Sequence, residues 1–375
     1  MAAPSDITLP SELLPGDGRF GSGPSKVDVA ALEALAATGA TYMGTSHRQS
    51  GVRSVVGAIR SGLKDLYDLP DGYEVVLGVG GATAFWDAAA FGLIQRRSQH
   101  LVFGEFSGKF AAVAKGAPHL ETPDIAESAP GTYPHDVPAS TADVVAQTHN
   151  ETSTGVMMPL GRPQGSTAVI AVDATSAAGA VRVDPRAFDV YYFSPQKAFG
   201  SEGGLWVALC SPAAIDRIEL VAASGRWIPP FLNLKLAVAN SRKDQTYNTP
   251  ALATLFLLRH QIDAMNERGG LAKVERRVRR SSDAIYDWAE ARPWAQPYVS
   301  APEERSPTVA TIDFADHIAA DDLESVLRRQ GILDVSGYRK LGRNQLRLAC
   351  FPNVEPEDVT TLTAAIDYVV EAMAT

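Results

Sequence analysis

The chain has 375 residues, 45% of them hydrophobic and 21% charged, the balance of an ordinary globular protein with room for a large domain and a smaller one. A net charge of −9 argues against nucleic-acid binding, which needs a broad positive surface, and no apolar run approaches the ~20 residues that span a bilayer. Cys210 and Cys350 both sit in apolar strand-like runs, as buried free thiols in a reducing cytoplasm would, without the ligand cluster of a metal site or the basic, apolar start of a secretory signal.

Residues 1–26 read as an extended arm punctuated by Pro4, Pro10, Pro15 and Pro24. "VDVAALEALAAT" is a helix by its spacing, followed by the polar loop "GTSHRQSG" and a second helical run from Ser54 to Tyr67. "YEVVLGVGG" is then a buried strand entering a glycine turn, with the helix "ATAFWDAAAFGLI" behind it. The runs "HLVFGEF", "ADVVAQTH", "STAVIAVDA" and "FDVYYFS" are short strands, most of them separated by helical or loop segments. That alternation predicts an α/β layer with a mostly parallel sheet. "GLWVALCS" adds a strand whose short connection suits an antiparallel placement.

A long helix from Leu271 to Ala291 carries the chain out of the large domain, spanning 27–268, into a small α+β domain, 269–375. Its basic run "KVERRVRR" reads as the solvated face of an amphipathic helix. The strands "TVATIDF" and "NQLRLACF" alternate with the helices "ADDLESVLRRQG" and "EDVTTLTAAIDYVVEAM", the last opened by Pro356 with acids around it.

In open α/β sheets ligands collect beyond the carboxyl ends of strands, and four such ends here carry chemistry-bearing residues. "GVGGAT" (Gly78–Thr83) is either a tight strand-to-helix turn or a cradle in which backbone and helix N-terminus hold a phosphate. Phe106 in "GEFSGKF" suits core packing or stacking on a flat cofactor. Thr152 in "HNETSTG" suits a turn or a hydrogen bond to a ring substituent. Asp173 closes the buried run "TAVIAVDA", where a carboxylate is costly unless it caps a turn or meets a cation or several donors. Lys197 follows after one more strand, in "FSPQKAFGSEGG". A lysine amine, an acid for a pyridine nitrogen, a phosphate cradle and an aromatic face together are what pyridoxal phosphate requires.

With "FGSGPSKV", "TSHRQ", "GGAT", "NETSTG", "VDATSAAG", "SPQKAFGSEGG", "YNTP" and "LRLACFP", the chain resembles the phosphoserine aminotransferase family over nearly its whole length. That family is a class-V branch of the aspartate-aminotransferase fold (pyridoxal-phosphate fold type I), and the resemblance is to its actinobacterial form. The resemblance implies Lys197 as the Schiff-base lysine and proton shuttle, with Asp173 on the ring nitrogen. It also implies Gln196 and Thr152 at the ring's phenolic side, Ala82 and Thr83 at the phosphate, and Phe106 stacked on the ring. Asn248 and Thr249 would reach the partner subunit's cofactor phosphate, so a homodimer with shared active sites follows. His47, Arg48, Arg339 and Arg347 would bind the substrates, L-glutamate and 3-phosphohydroxypyruvate, Arg347 taking the α-carboxylate; no metal is implied. One guanidinium serves carboxylate and phosphate alike. Some relatives also act on phosphohydroxythreonine in vitamin B6 synthesis.

The sequence departs from commoner members where tryptophan, arginine and histidine are replaced by Phe106, Thr83 and Tyr338. The main alternative is another class-V enzyme, such as an alanine–glyoxylate or serine–pyruvate aminotransferase. A penicillin-recognising hydrolase would need companion Ser-Asp-Asn and Lys-Thr-Gly elements that the sequence lacks.

Overall fold

Seven short runs, most of them rich in β-branched and aromatic residues, pair into one sheet. In the computed structural model, which describes residues 4–374, they are β1 (Glu74–Val79), β2 (Ser98–Val102), β3 (Asp124–Glu127), β4 (Val144–Thr148), β5 (Val169–Asp173), β6 (Val190–Phe193) and β7 (Leu205–Cys210). Their order across the sheet is β1-β7-β6-β5-β4-β2-β3. The strands β3, β2, β4, β5 and β6 run parallel, and β7 is antiparallel to both neighbours, β6 and β1. Between Phe193 and Leu205 there is too little chain for a helical crossover, so β7 turns back on itself. The edge strand β3, "DIAE", was not expected from the sequence. Only Ala126 in it is buried, so its pattern is too polar to stand out.

Both faces of this sheet are covered, and side chains alternate between them with the period of two that strands impose. Val75, Leu77, Ile170, Val172, Tyr191 and Phe193 pack on one side against α2 (Ser50–Leu66) and α7 (Leu252–Glu267). Val76, Val169, Ala171, Val190 and Tyr192 pack on the other against α3 (Gly81–Gly92), α4 (Glu105–Gly116), α5 (Pro212–Ala222) and α6 (Leu234–Ser241). The helix α1 (Val29–Ala37) lies outside, touching α7 through Val27, Ala31 and Leu257.

A three-stranded antiparallel sheet of β8 (Ala295–Pro297), β9 (Val309–Phe314) and β10 (Gln345–Ala349) forms a second core with α9 (Ala320–Arg329) and α10 (Pro356–Ala374). The helix α8 (Gly270–Glu290) joins the two cores. It buries Leu271, Val274 and Val278 in the first and Ile285, Tyr286, Trp288 and Ala289 in the second. Its basic residues lie on the other face, where Arg277, Arg279 and Arg280 pair with Glu355, Glu275 and Glu357. The N-terminal segment is more than an arm, because Ile7, Leu9 and Phe20 are part of the second core. Both cysteines are buried and unbridged, and burial pushes both thiols up. Among the described residues no helix is long and apolar enough to cross a membrane.

Candidate active site

Register brings the site together. Thr148 on β4 lies opposite Asp173 on β5, and Asp173 lies opposite Tyr192 on β6. The carboxyl ends of three adjacent parallel strands are therefore level, and Asp173 at the end of β5, with Asn150 and Thr152 after β4 and Ser194 to Lys197 after β6, comes to one edge of the sheet. Asp173 and Lys197 line the same cavity of about 440 Å³, together with Gly80 to Thr83, Phe106, Thr152 and Gln196. That volume suits a cofactor-sized ligand.

Lys197 is only 6% exposed, and its Nζ donates to Thr152 Oγ1 at 2.7 Å. The Thr152 hydroxyl donates in turn to Ser176 Oγ, which donates to the Asn150 carbonyl oxygen. Burial lowers the Lys197 pKa to about 8; the Asp173 carboxylate raises it, Arg347 lowers it and Glu151 raises it, and burial prevails. The lysine is thus an amine that reaches its neutral form near physiological pH. Asp173, also 6% exposed, accepts from the Trp86 indole N–H at 3.2 Å and the Thr175 backbone N–H at 3.0 Å. These donors offset the cost of burying the charge and fix its orientation.

Two helix starts complete the cavity. Gly80 takes the left-handed conformation, φ 112°, at the turn from β1 into α3, where a side chain would be strained. The first N–H groups of α3, at Gly81, Ala82 and Thr83, have no partner within the helix, and all three residues line the cavity, a setting that suits an anion. Trp86, one turn further along the same helix, is the donor to Asp173. At the start of α4 the fully buried Glu151 carboxylate accepts from the backbone N–H groups of Phe106 and Ser107 and from both hydroxyls of Ser107 and Ser153. Gly104 permits this, since a Cβ there would lie 2.3 Å from Glu151 Cγ. The Phe106 ring so anchored sits with its centre 5.2 Å from Lys197 Nζ.

The C-terminal part of the chain contributes Tyr338 and Arg347. Arg347 Nη1 donates to the Thr152 carbonyl oxygen at 3.2 Å, and burial lowers the guanidinium pKa. Five polar atoms around the cavity, Ser22 Oγ, Asn150 Oδ1, Thr175 Oγ1, Gln196 Oε1 and Arg347 Nε, are buried with no hydrogen-bond partner among the described residues. Orphaned groups gathered at one place mark a site shaped for a polar ligand. A buried amine of lowered pKa, an anchored carboxylate, an aromatic face and a helix N-terminus are the set of groups that pyridoxal phosphate fits.

Other expected residues lie elsewhere. Arg339 is exposed and lines a neighbouring cavity of about 1290 Å³ that opens toward the first. His47, Arg48, Asn248 and Thr249 do not line the Lys197 cavity of their own chain. Arg48 instead donates to Gln245 at 2.9 Å, which draws the loop of His47 and Arg48 toward the one holding exposed Asn248 and Thr249. His47 Nε2 is buried with no hydrogen-bond partner among the described residues, and burial with the adjacent Arg48 lowers the imidazole pKa. Sequence reasoning missed Trp86, Glu151 and Ser176 as site residues. Glu151 and Ser176 stood inside the quoted motifs; Trp86 gave no signal apart from its place one helical turn beyond the glycines.

The sequence profile described as "Aminotransferase class-V" matches residues 132–341, which include Thr152, Asp173, Gln196 and Lys197. Fold, cavity and profile together define a pyridoxal-phosphate-dependent aminotransferase of that class. The chain is 58% identical over 368 residues to the phosphoserine aminotransferase of a Nocardioides species, covering 97% of this chain and 98% of that one. It is 56% identical over 365 residues to that of Corynebacterium glutamicum, covering 97% of each. The crystal structure of a phosphoserine aminotransferase from Cytophaga hutchinsonii superposes with a TM-score of 0.87 at 25% identity, covering 94% of this chain and 99% of the other. The chain belongs to the phosphoserine aminotransferase family.

Proposed function

We propose that the protein transfers the amino group reversibly between L-glutamate and 3-phosphohydroxypyruvate, yielding O-phospho-L-serine and 2-oxoglutarate, as a cytoplasmic homodimer. The observation that carries this reading is the joining of Lys197, Asp173 and Arg347 in one cavity of a chain this similar to phosphoserine aminotransferases over its full length. Bound pyridoxal phosphate supplies the electron sink for charge developed at the substrate's α-carbon. Lys197 Nζ tethers the cofactor and moves the proton from and to the reacting carbon, with Thr152 Oγ1 orienting the amine. The Asp173 carboxylate holds the proton of the ring nitrogen. Ala82 and Thr83 bind the phosphate at the start of α3, Phe106 gives the ring a face, and Gln196 meets its phenolic oxygen. Arg347 binds the α-carboxylate through paired donors. In this reading 27–268 form the cofactor domain, 269–375 the small domain and 1–26 the segment that packs against the latter.

The second anion of either substrate falls to Arg339 and to His47 and Arg48 of the partner, while Asn248 and Thr249 reach the partner's phosphate site. Exposure of Met43 and Tyr247 on these same two loops supports a covered face. Sharing of sites predicts complementation. Arg48→Ala and Lys197→Ala chains, each inactive alone, regain about a quarter of wild-type activity on random mixing, because half the dimers are mixed and one of the two sites in each is whole. No recovery after mixing and subunit exchange would place Arg48 in its own chain's site.

The acceptor decides between this reading and its alternative. After reduction of the cofactor's oxo form with glutamate, 3-phosphohydroxypyruvate is expected to exceed pyruvate and glyoxylate at least about a hundredfold in kcat/KM, as a site built for an anion rejects acceptors lacking it. Preference for pyruvate or glyoxylate would make the enzyme an alanine–glyoxylate or serine–pyruvate type aminotransferase instead.

A further inference from the structure

The two cavities meet at four residues, Ser22, Gly23, Tyr338 and Arg347. Tyr338 belongs to the small domain and precedes the turn Arg339–Leu341. On one side its ring centre lies 5.3 Å from Arg347 Cζ; on the other it lies 6.2 Å from the centre of the Phe106 ring, tilted by 56°. Phe106 in turn faces Lys197 at 5.2 Å, Lys197 donates to the Thr152 hydroxyl, and the Thr152 carbonyl oxygen accepts from Arg347. Five side chains therefore close a loop around the cavity, and Tyr338 is the member that joins the substrate-facing guanidinium to the aromatic wall. A second tie lies beside it, where Lys340 pairs with Glu105, the residue before Phe106.

We infer that Tyr338 is a positioning residue for carboxylate recognition, holding one face of Arg347 so that the guanidinium meets a substrate carboxylate edge-on. The constraints on Arg347 support this. Thr152 occupies Nη1, Cζ lies over the Tyr338 ring, and Nε is buried with no hydrogen-bond partner among the described residues. A guanidinium pairs with a carboxylate in its own plane through two N–H groups, so restricting its tilt favours the productive geometry before substrate arrives. An aromatic face does this without competing for the N–H groups, because the attraction is to the ring's quadrupole. A histidine in this place would offer a smaller ring and a hydrogen-bonding edge.

The inference rests on the reading of Arg347 as the α-carboxylate site, and the test separates the two. Tyr338→Leu and Tyr338→Phe are measured beside the wild-type holoenzyme for glutamate kinetics, for glutarate binding by calorimetry, and for thermal midpoint. For Tyr338→Leu, KM for glutamate and Kd for glutarate are both expected to rise about tenfold, the effect of losing a partly desolvated cation–π contact. Its kcat stays within about threefold, while Tyr338→Phe, which keeps the ring, stays within about twofold throughout. A purely structural role would instead lower the thermal midpoint with little change in either constant. Should the leucine variant fail to fold, Tyr338→Met replaces it. Unchanged KM and Kd in the ring-less variant, or a fall in kcat alone, would overturn the inference. Arg347→Ala, run in parallel, reports on the underlying reading: if it too leaves glutarate binding unchanged, that assignment falls, whatever Tyr338 does.

Discussion

Lys197→Ala is expected to leave a folded protein that binds pyridoxal phosphate without covalent attachment and turns over at least about a thousandfold more slowly, since tether and proton carrier are removed together. Two measurements check it apart from activity: loss of the visible absorbance of covalently bound cofactor, and loss of a cofactor-sized mass increment after borohydride reduction. A variant that keeps either would remove Lys197 from its role. The wild-type apoenzyme carries the matching pH signature. Burial lowers this amine from 10.5 to about 8, so below that pH it holds a proton that blocks attack on a carbonyl and above it the amine is neutral. The rate at which added pyridoxal phosphate becomes covalently bound is therefore expected to rise with pH, with a midpoint near 8. The same shift makes the apoenzyme gain stability between about 8 and 10.5, where the unfolded lysine still binds a proton that the folded one has released. A midpoint above 10 would mean that the lysine is solvated.

Asp173→Asn is expected to lower kcat about a hundredfold to a thousandfold with a small effect on glutamate KM, the pattern of lost electrostatic stabilisation in a water-poor site. The substitution keeps the shape and leaves an oxygen for either Trp86 or Thr175, so the loss reports on the charge. Asp173 also raises the Lys197 pKa, against the dominant effect of burial. Removing that charge is thus expected to move the midpoint for covalent capture below 8 in the variant apoenzyme. The two effects have separate readouts. A variant with kcat within about threefold of wild type would assign the ring nitrogen to another group.

The site works because one helix and one loop each serve two purposes. Helix α3 starts at the cavity and, through Trp86, holds the Asp173 carboxylate; in the proposed function its N-terminal N–H groups also take the cofactor's phosphate. In the loop after β4, Glu151 anchors the helix start that carries Phe106, while the next residue, Thr152, takes the lysine amine and the Arg347 guanidinium. Distances between the aromatic wall, the amine and the guanidinium are consequently set by adjacent residues of one strand end. Small displacements of this loop would disturb all three.

Much of this was legible beforehand because it is local. Short apolar runs, most of them rich in β-branched or aromatic residues, marked six of the seven strands of the main sheet, and the glycine pair marked the start of α3; only the polar edge strand β3 escaped. The short link after Lys197 foretold an antiparallel β7. Motif residues also announced the cofactor chemistry, since an amine, an acid and a glycine turn at successive strand ends are required by it. Tertiary structure decided what depends on neighbours far away in the chain. Lys197, whose burial lowers its pKa, packs against the N-terminal segment at Gly23, and the Arg347 charge, far along the chain, lowers the pKa further. Trp86 meets Asp173 across 87 positions, and Tyr338 meets Phe106 from the other end of the chain. Spacing along a sequence encodes periodicity and turns, whereas desolvation and orientation arise only when separate segments exclude water from the same volume.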